Sequence, residues 1–200
     1  MTGRPPPKAI LFDLGNVLLP FDQERRIAAL VRAFGCPAAV ARAFMEDGIH
    51  WRIGLGEANE LDLADAFTAA FGRPVAPVEA MDLALSVFEA PNYELWDLLD
   101  RLRVRAVVGG FSDNPRFVDQ LFPMNACLDP MFFSSEIRAF KPTQEAFDAV
   151  EAALGLLPET ILFIDDMQTN VDAALARGWD ALRFTSNAAL AADLAARGLP

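Results

Sequence analysis

Short apolar runs that each stop at a polar residue recur along the chain. The first covers residues 8–12 and stops at Asp13. Runs of this kind predict buried strands of a parallel sheet. Further runs of the same type cover residues 104–111, 131–133, 161–164 and, more weakly, 181–184. The chain therefore has the pattern of a sheet with five buried strands.

Helical patterns separate several of the predicted strands. Leucines recur at helical spacing over residues 92–103, similar patterns cover residues 144–154 and 171–177, and Gly178 ends the last of them. This alternation predicts an α/β fold with a Rossmann-like, doubly wound parallel sheet. Gly109 and Gly110 inside the second predicted strand are unusual. Glycine there marks either a bulge or a close approach of the backbone to another group.

One long segment does not follow the alternation. Residues 21–90 are helical in pattern throughout, with candidate helices at 23–34, 38–48, 58–71 and 78–88. We predict an α/β core formed by residues 1–19 and 91–200, with a helical cap of residues 20–90 inserted after the first strand. A cap over the carboxyl ends of the strands would be in position to act as a lid over a ligand bound there. The alternative is a long crossover excursion with no functional role.

Polar side chains at the predicted strand ends form one group. Asp13, Ser112, Asp165 and Asp166 follow strands, and Lys141 lies in a nearby loop. An open α/β sheet binds its ligands at the carboxyl ends of the strands. Carboxylates hold a hard cation such as Mg²⁺, and a lysine neutralises a transferring phosphoryl group. A carboxylate nucleophile is expected to be ionised at pH 7 without a base.

Composition narrows the classes of partner. The formal net charge is −11 over 200 residues, which argues against a nucleic-acid partner. A small anion remains compatible, because a bound cation inverts the local field. Cys36 and Cys127 have no metal-ligand or redox spacing, and we interpret both as reduced packing residues of a cytoplasmic protein. The start has no signal-peptide pattern, and no apolar run approaches the roughly 20 residues of a membrane helix.

Four motifs resemble those of one family. The segments at residues 12–18, 111–113, 141–142 and 163–171 resemble, in the family's order, the motifs of the haloacid dehalogenase-like hydrolase superfamily. The resemblance covers nearly the whole chain and is to the subfamily with a helical cap between the first two motifs. It implies a hydrolase in which Asp13 is the nucleophile, with phosphatases as the nearest functional class.

The same resemblance implies roles for the other residues. The Ser112 hydroxyl would hold the phosphate, and Lys141 would pair with both the nucleophile and the phosphate. Asp113 stands where relatives usually have Asn, and we expect only its backbone N–H to face the ligand. The resemblance implies that Asp13, the backbone carbonyl of Gly15 and Asp166 bind Mg²⁺ directly. Asp165 would be a neighbouring or water-mediated ligand, and Asn170 would lie close to the metal. The implied reaction hydrolyses a small phosphorylated metabolite, such as a sugar phosphate, through an aspartyl-phosphate intermediate.

Gly15 departs from the family pattern, because phosphatases usually carry a second Asp there as general acid and base. Such a group contributes about 10²–10⁴-fold to the rate. Three alternatives follow: a phosphatase acting on a good leaving group, a metal-independent 2-haloacid dehalogenase, or a catalytically weak binder. The acidic pair at residues 165–166 counts against the dehalogenase. Dehalogenases also bind the substrate carboxylate with an Arg after the first motif, and a surface helix explains Arg25 and Arg26 equally well.

Several cap residues are candidates for further roles. His50 is either a packed cap residue or a substrate contact, and Glu57 is a candidate replacement for the missing acid–base group. Trp51, Phe44 and Phe67 are expected to form the core of the cap. Selection of the substrate depends on the shape of the site, which the motifs do not specify, so the sequence does not identify the substrate. It also leaves open whether the protein is a monomer or a homodimer, including a dimer formed through the cap.

Overall fold

The computed structural model describes residues 5–121 and 127–200. Five parallel strands form one sheet in the order β3-β2-β1-β4-β5. The strands are β1 (Ala9–Phe12), β2 (Val107–Ser112), β3 (Met131–Phe133), β4 (Ile161–Asp165) and β5 (Asp180–Arg183). Each predicted run contains a strand, which confirms the doubly wound α/β prediction. The second strand begins later than predicted, because Val104 follows directly on a helix and is exposed.

Helices occupy both the inserted segment and the connections of the sheet. The inserted segment contains α1 (Gln23–Phe34), α2 (Ala38–Met45), α3 (Ile49–Gly54), α4 (Glu60–Phe71) and α5 (Pro77–Leu85). The remaining described α-helices are α6 (Trp96–Arg103), α7 (Ser134–Ile137), α8 (Gln144–Leu154), α9 (Gln168–Ala176) and α10 (Asn187–Ala196). Short 3₁₀ turns occur at Tyr93–Leu95, Arg116–Leu121 and Pro158–Thr160.

The two faces of the sheet bury separate apolar clusters. Ile10 and Phe12 of β1 belong to a cluster with residues of α6 and α10. Leu11 belongs to a second cluster that contains Phe163 and Trp179 and residues of α8 and α9. Neighbouring positions of β1 thus enter opposite clusters, as the alternation of side chains along a strand requires. Both faces are therefore covered, which explains why the strands are apolar along their whole length.

The five helices of the inserted segment, α1 to α5, bury an apolar cluster of their own. Phe44 and Phe67 lie in it with ring centroids 4.5 Å apart, as predicted. Trp51 was wrongly assigned to this core: it is 63% exposed and packs on Phe140, with centroids 4.4 Å apart. A separate cluster supports an inserted cap, and the boundaries at residues 1–19, 20–90 and 91–200 stay a prediction.

The inserted segment contains five helices rather than the four that the sequence predicted. The predicted helix at 38–48 ends early, and α3 begins after Gly48, which has a left-handed φ of 86°. A helix of six residues contains less than two turns, so an apolar repeat cannot be recognised in it. The helices α7 and α10 were also not predicted. Among the described residues no single helix is long and apolar enough to cross a bilayer, although α1 and α2, bent by 119°, pass that test as a pair.

The two glycines of β2 mark a close approach rather than a bulge. A Cβ atom on Gly109 would lie 2.4 Å from the carbonyl oxygen of Pro130, and one on Gly110 would lie 2.3 Å from the sulfur of Met131. The pairing of β2 with β3 is regular from Gly110 to Ser112. Only a residue without a side chain fits at Gly109, where the close atom belongs to the backbone, whereas a larger residue at Gly110 would require the Met131 side chain to move.

The end of α3 and the loop after it lie directly on the start of α7. The Ser134 hydroxyl donates a hydrogen bond of 2.7 Å to the Gly54 carbonyl. Gly56 has a left-handed φ of +66°, and a Cβ atom there would lie 2.1 Å from the Ser135 carbonyl oxygen. These contacts join the helical insertion to the part of the chain that carries the sheet, next to the end of β3.

We expect Gly56→Ala to lower the free energy of unfolding by at least about 2 kcal/mol, because left-handed backbone strain and overpacking act together. Urea unfolding measures the loss. Gly35→Ala is the matched control, since Gly35 has a φ of +63° with no neighbour within 4 Å of its Cβ position. That control should lose only about 1 kcal/mol. Equal losses in the two variants would contradict a close contact at Gly56.

Candidate active site

Asp13 lies immediately after β1, at the carboxyl edge of the sheet. Its backbone N–H donates to the Ile164 carbonyl at 2.8 Å, so the strand pairing with β4 continues up to this residue. The side chain is buried at the centre of the five strands, because β1 lies between β2 and β4. The sequence prediction that Asp13 stands at a strand end is confirmed.

Lys141 joins the ends of three strands through its ammonium group. Its Nζ donates to Asp13 Oδ1 at 2.8 Å, to Asp165 Oδ2 at 2.8 Å and to the Phe111 carbonyl at 2.9 Å. All three donors of the ammonium group are therefore used. The side chain is almost completely buried. A loop residue of the sequence thus becomes the centre of the cluster.

Burial changes the acidity of both partners in this ion pair. Burial raises the pKa of Asp13 to about 7; Lys141 lowers it and Asp165 raises it further. Burial alone disfavours the Lys141 ammonium, yet Asp13 and Asp165 raise its pKa above the ordinary value. The lysine therefore remains charged at neutral pH. The sequence-based expectation that Asp13 is ionised at pH 7 was therefore incomplete. Without a bound cation, desolvation favours the neutral carboxyl, and a substantial fraction of Asp13 is protonated at this pH.

The two carboxylates of the acidic pair have different surroundings. Asp165 is fully buried, and its Oδ1 accepts from the Met167 backbone N–H at 2.8 Å. Its Oδ2 accepts from Asn170 Nδ2 at 3.0 Å and from Lys141. Asp166 is half-buried. Both oxygens of Asp165 are thus held by protein donors, and this carboxylate orients the lysine.

A set of oxygen atoms in this cluster suits a hard divalent cation. Oxygens of Asp13, Asp165 and Asp166 lie within 4.8 Å of one another. Asp166 Oδ2 accepts a 3.2 Å bond from Asn16 Nδ2, and burial and Asp165 raise the pKa of Asp166. The Gly15 carbonyl accepts no hydrogen bond from the described residues. Carboxylate and carbonyl oxygens are the ligands that Mg²⁺ prefers.

The residues after β2 complete the site on the other side of Lys141. The Ser112 hydroxyl is fully buried and accepts from Asn114 Nδ2 at 2.9 Å. Asp113 Oδ1 accepts from the Lys141 backbone N–H at 3.0 Å, and burial raises the pKa of this carboxyl. Sequence reasoning did not select Asn114 as a site residue, although it is the third consecutive polar residue at this strand end. The expected orientation of the Asp113 N–H toward a ligand stays a prediction.

The side-chain position at Gly15 is bordered by Phe21 and by the carboxylate of Asp13 itself. A Cβ atom there would lie 3.3 Å from Cε1 of Phe21 and 3.6 Å from Asp13 Oδ2. Glu57, proposed from sequence as a replacement, is exposed and does not line the cavity described below. The described residues thus give Glu57 no support as an acid–base group.

A cavity of about 580 Å³ lies between the helical insertion and the strand ends. Asp113, Asn114 and Lys141, near the strand ends, line one part of it. The insertion contributes Arg26 and His50. Arg25 is exposed, so a surface helix explains Arg25 and not Arg26, and no signal in the sequence distinguishes the two. His50 is both packed and at the cavity, with its ring edge-on to Phe44 and centroids 5.6 Å apart.

Comparisons with known proteins bear on the family and the fold of the chain. A family model described as haloacid dehalogenase-like hydrolase matches residues 7–178. A D-ribitol-5-phosphate phosphatase of Bacteroides thetaiotaomicron is 22% identical over 185 residues, covering 86% of this chain and 89% of the relative.

Two solved structures share the fold. One is an enzyme of the haloacid dehalogenase (HAD) family from Bacteroides thetaiotaomicron in complex with magnesium and inorganic phosphate. It has a TM-score of 0.80 and 24% identity, covering 90% of this chain and 96% of its own. The other is an L-2-haloacid dehalogenase from Xanthobacter autotrophicus, with a TM-score of 0.62 and 20% identity over 97% of this chain and 84% of its own.

Proposed function

The chain belongs to the haloacid dehalogenase-like hydrolase family, and from this premise we propose that it is a Mg²⁺-dependent phosphatase with Asp13 as nucleophile. The substrate is a small phosphorylated metabolite, and the intermediate is an aspartyl phosphate. One observation carries the proposal: Lys141 Nζ lies 2.8 Å from both Asp13 and Asp165, beside the further carboxylate of Asp166. A cationic donor, a buried nucleophile and an acidic cluster together suit phosphoryl transfer.

Asp13 is oriented for attack by its bond to Lys141. Oδ1 accepts from the lysine, whereas Oδ2 accepts no hydrogen bond from the described residues and is the attacking atom. As the bond from Oδ2 to phosphorus forms, the bond from phosphorus to the ester oxygen breaks, and the electron pair leaves with that oxygen. Water then attacks phosphorus and releases inorganic phosphate and the Asp13 carboxylate. Because Gly15 has no side chain, the leaving oxygen takes its proton from solvent or departs as a stable anion.

The remaining residues hold the phosphate and the cation. Lys141 and Ser112 contact the phosphoryl oxygens, with Asn114 orienting the hydroxyl. Asp13, Asp166 and the Gly15 carbonyl would hold Mg²⁺. Asp165 acts indirectly, since protein donors occupy both of its oxygens. When bound, Mg²⁺ would neutralise negative charge on the phosphoryl oxygens.

The insertion is the proposed selectivity element. Residues 20–90 close over the strand ends and exclude water from the reaction. The name of the D-ribitol-5-phosphate phosphatase relative makes sugar and sugar-alcohol phosphates the first substrates to test. A monomeric or homodimeric protein in the cytoplasm is part of the same proposal.

A phosphatase assay separates this function from the alternatives. We expect hydrolysis of p-nitrophenyl phosphate with Mg²⁺ and none with EDTA. Chloride release from 2-chloropropionate in EDTA would overturn the proposal in favour of a dehalogenase. Phosphate binding without turnover of a panel of sugar phosphates would overturn it in favour of a binding protein. The acidic cluster at Asp13, Asp165 and Asp166 favours the metal-dependent reaction over the dehalogenase.

We expect the apparent affinity for Mg²⁺ to fall about tenfold for each pH unit below about 6.5, because the cation must displace a proton. The sign follows from the raised pKa of Asp13, about 7, which leaves this carboxyl protonated at acidic pH. The raised pKa of Asp166 acts in the same direction. Isothermal titration calorimetry at pH 5.5, 6.5 and 7.5 measures the affinity. An affinity that is constant across this range would exclude Asp13 as a ligand, and Asp13→Asn should show a flatter dependence.

A further inference from the structure

The leaving oxygen of the proposed reaction needs a proton unless it departs as a stable anion, and Gly15 has no side chain to supply one. In-line displacement places this oxygen on the side of phosphorus opposite the attacking Oδ2 of Asp13. Asp13 lies at the strand ends, and the cavity lies between those ends and the insertion, so the leaving oxygen is on the cavity side. A protein group that protonates this oxygen must therefore line the cavity.

Asp113 is the best-placed proton donor among the titratable residues that line the cavity. The described residues of this kind are Arg26, Glu46, His50, Asp113 and Lys141. Lys141 uses all three of its donors on protein acceptors. Burial lowers the pKa of Arg26 to about 10 and that of His50 to about 3, and a catalytic acid works best with a pKa near the working pH. Glu46 is exposed and belongs to the insertion rather than to a strand end.

The side chain of Asp113 has one oxygen free for a ligand. Asp113 is half-buried and directly follows Ser112, whose hydroxyl is the proposed contact of the phosphoryl group. Its Oδ1 accepts from the Lys141 backbone N–H at 3.0 Å, and its Oδ2 accepts no hydrogen bond from the described residues. A protonated carboxyl can accept with one oxygen and donate with the other. The carboxyl therefore adds a second group to the backbone N–H that the sequence indicated.

The surroundings of Asp113 favour its protonated form. Burial raises the pKa of this carboxyl, Lys141 lowers it through its charge and its backbone N–H, and Asp165 raises it, with a net increase. Asp113 in turn raises the pKa of Asp13. A phosphate bound beside Ser112 would bring further negative charge and raise the pKa of Asp113 again. The proton would thus be held on Asp113 while the substrate is bound.

We propose that Asp113 is the catalytic acid, which protonates the leaving oxygen through Oδ2. This rests on the proposed phosphatase function. As the bond from phosphorus to the ester oxygen breaks, its electron pair goes to that oxygen, which takes the proton of Asp113. The water that attacks the aspartyl phosphate then gives a proton to the Asp113 carboxylate. Inorganic phosphate and the Asp13 carboxylate are released, and Asp113 is protonated again.

Phenyl phosphates with different ring substituents test this proton transfer. The probes are p-nitrophenyl, phenyl and p-methoxyphenyl phosphate, whose phenolate leaving groups become more basic in that order. The ratio kcat/KM reports the steps up to departure of the phenol and excludes the later hydrolysis of the intermediate. Asp113→Asn should lower kcat/KM for p-methoxyphenyl phosphate at least about tenfold and that for p-nitrophenyl phosphate less than about threefold. The fall of kcat/KM with leaving-group basicity should be steeper than in the wild type.

The amide separates proton donation from a structural role. Its oxygen can still accept from the Lys141 N–H, so Asp113→Asn keeps the contact that positions the lysine. Because burial disfavours the Asp113 carboxylate, this variant should melt no lower than the wild type. Asp65→Asn is the matched control at an exposed position of the insertion and should change none of the three kcat/KM values. A strongly lowered melting temperature of Asp113→Asn would overturn the proposal in favour of a structural role.

The same series separates failure of the catalytic acid from failure of the phosphatase. If the wild type hydrolyses p-nitrophenyl phosphate with Mg²⁺ and Asp113→Asn loses the same factor for all three esters, Asp113 is not the acid and the phosphatase stands. A higher kcat/KM of the variant for all three esters would identify an unfavourable charge at Asp113 and also exclude the acid alone. A wild type that hydrolyses none of the three esters with Mg²⁺ would overturn both proposals.

Discussion

Replacing Asp13 with asparagine should lower kcat on an aryl phosphate by at least about a thousandfold, because the amide removes the attacking carboxylate oxygen. The amide is close in size to the carboxylate, and its oxygen can still accept from Lys141. The phosphate site therefore stays assembled while the attacking oxygen is lost. Steady-state release of p-nitrophenol at saturating Mg²⁺ measures the effect.

Stability should move in the opposite direction from activity in this variant. Burial raises the pKa of Asp13 to about 7, so the ionised carboxylate is disfavoured in the folded protein above that pH. A neutral amide removes this cost, and Asp13→Asn should melt no lower than the wild type at pH 8. Glu57→Gln is the matched control, an exposed acid changed to its amide, and should retain full activity. Activity of Asp13→Asn within tenfold of the wild type would exclude Asp13 as nucleophile.

Lys141→Met should lower the free energy of unfolding by about 3–5 kcal/mol at pH 8, because it leaves two buried carboxylates without their counter-charge. Lys141 Nζ lies 2.8 Å from both Asp13 and Asp165, and no other described Lys or Arg pairs with either. The loss should be smaller at pH 5.5, where Asp13, with its raised pKa, becomes protonated and neutral. Urea unfolding at the two pH values measures the difference, and phosphatase activity should be lost at both.

A double variant shows whether the effect acts through Asp13. Lys141→Met combined with Asp13→Asn should recover part of the stability at pH 8, since one of the unpaired charges is removed. Coupling of this kind is expected for residues in direct contact. A loss below about 1 kcal/mol at both pH values would show that the lysine does not stabilise the buried carboxylates.

The strands and their polar ends were predictable from local pattern. A strand covered on both faces must be apolar along its length, so β1 and β4 stand out between polar neighbours. A parallel sheet brings the carboxyl ends of its strands to one edge, so Asp13 and Asp165 had to be close. The short helix α3 escaped prediction because six residues contain less than two turns of apolar period.

Other features depended on packing between distant parts of the chain. Trp51 has the character of a core residue, yet it lies on Phe140, outside the cap core. Arg25 and Arg26 are adjacent and chemically identical, and only the packing of α1 on its neighbours leaves Arg25 exposed and places Arg26, half-buried, at the cavity. Hydrophobic periodicity describes one helix or strand at a time and does not indicate which other element that helix or strand packs against.

The sequence by itself determined the α/β fold, the strand-end position of Asp13 and the absence of a carboxylate at Gly15. Each depends on hydrophobic pattern or residue identity, which the chain carries locally. Only the tertiary structure decided that Lys141 contacts Asp13, 128 residues away in the sequence, and that both carboxylate oxygens of Asp165 accept hydrogen bonds from protein donors. It also decided that burial raises the pKa of the nucleophile to about 7. Distances and desolvation arise when separate elements pack together, so residue types alone do not specify them.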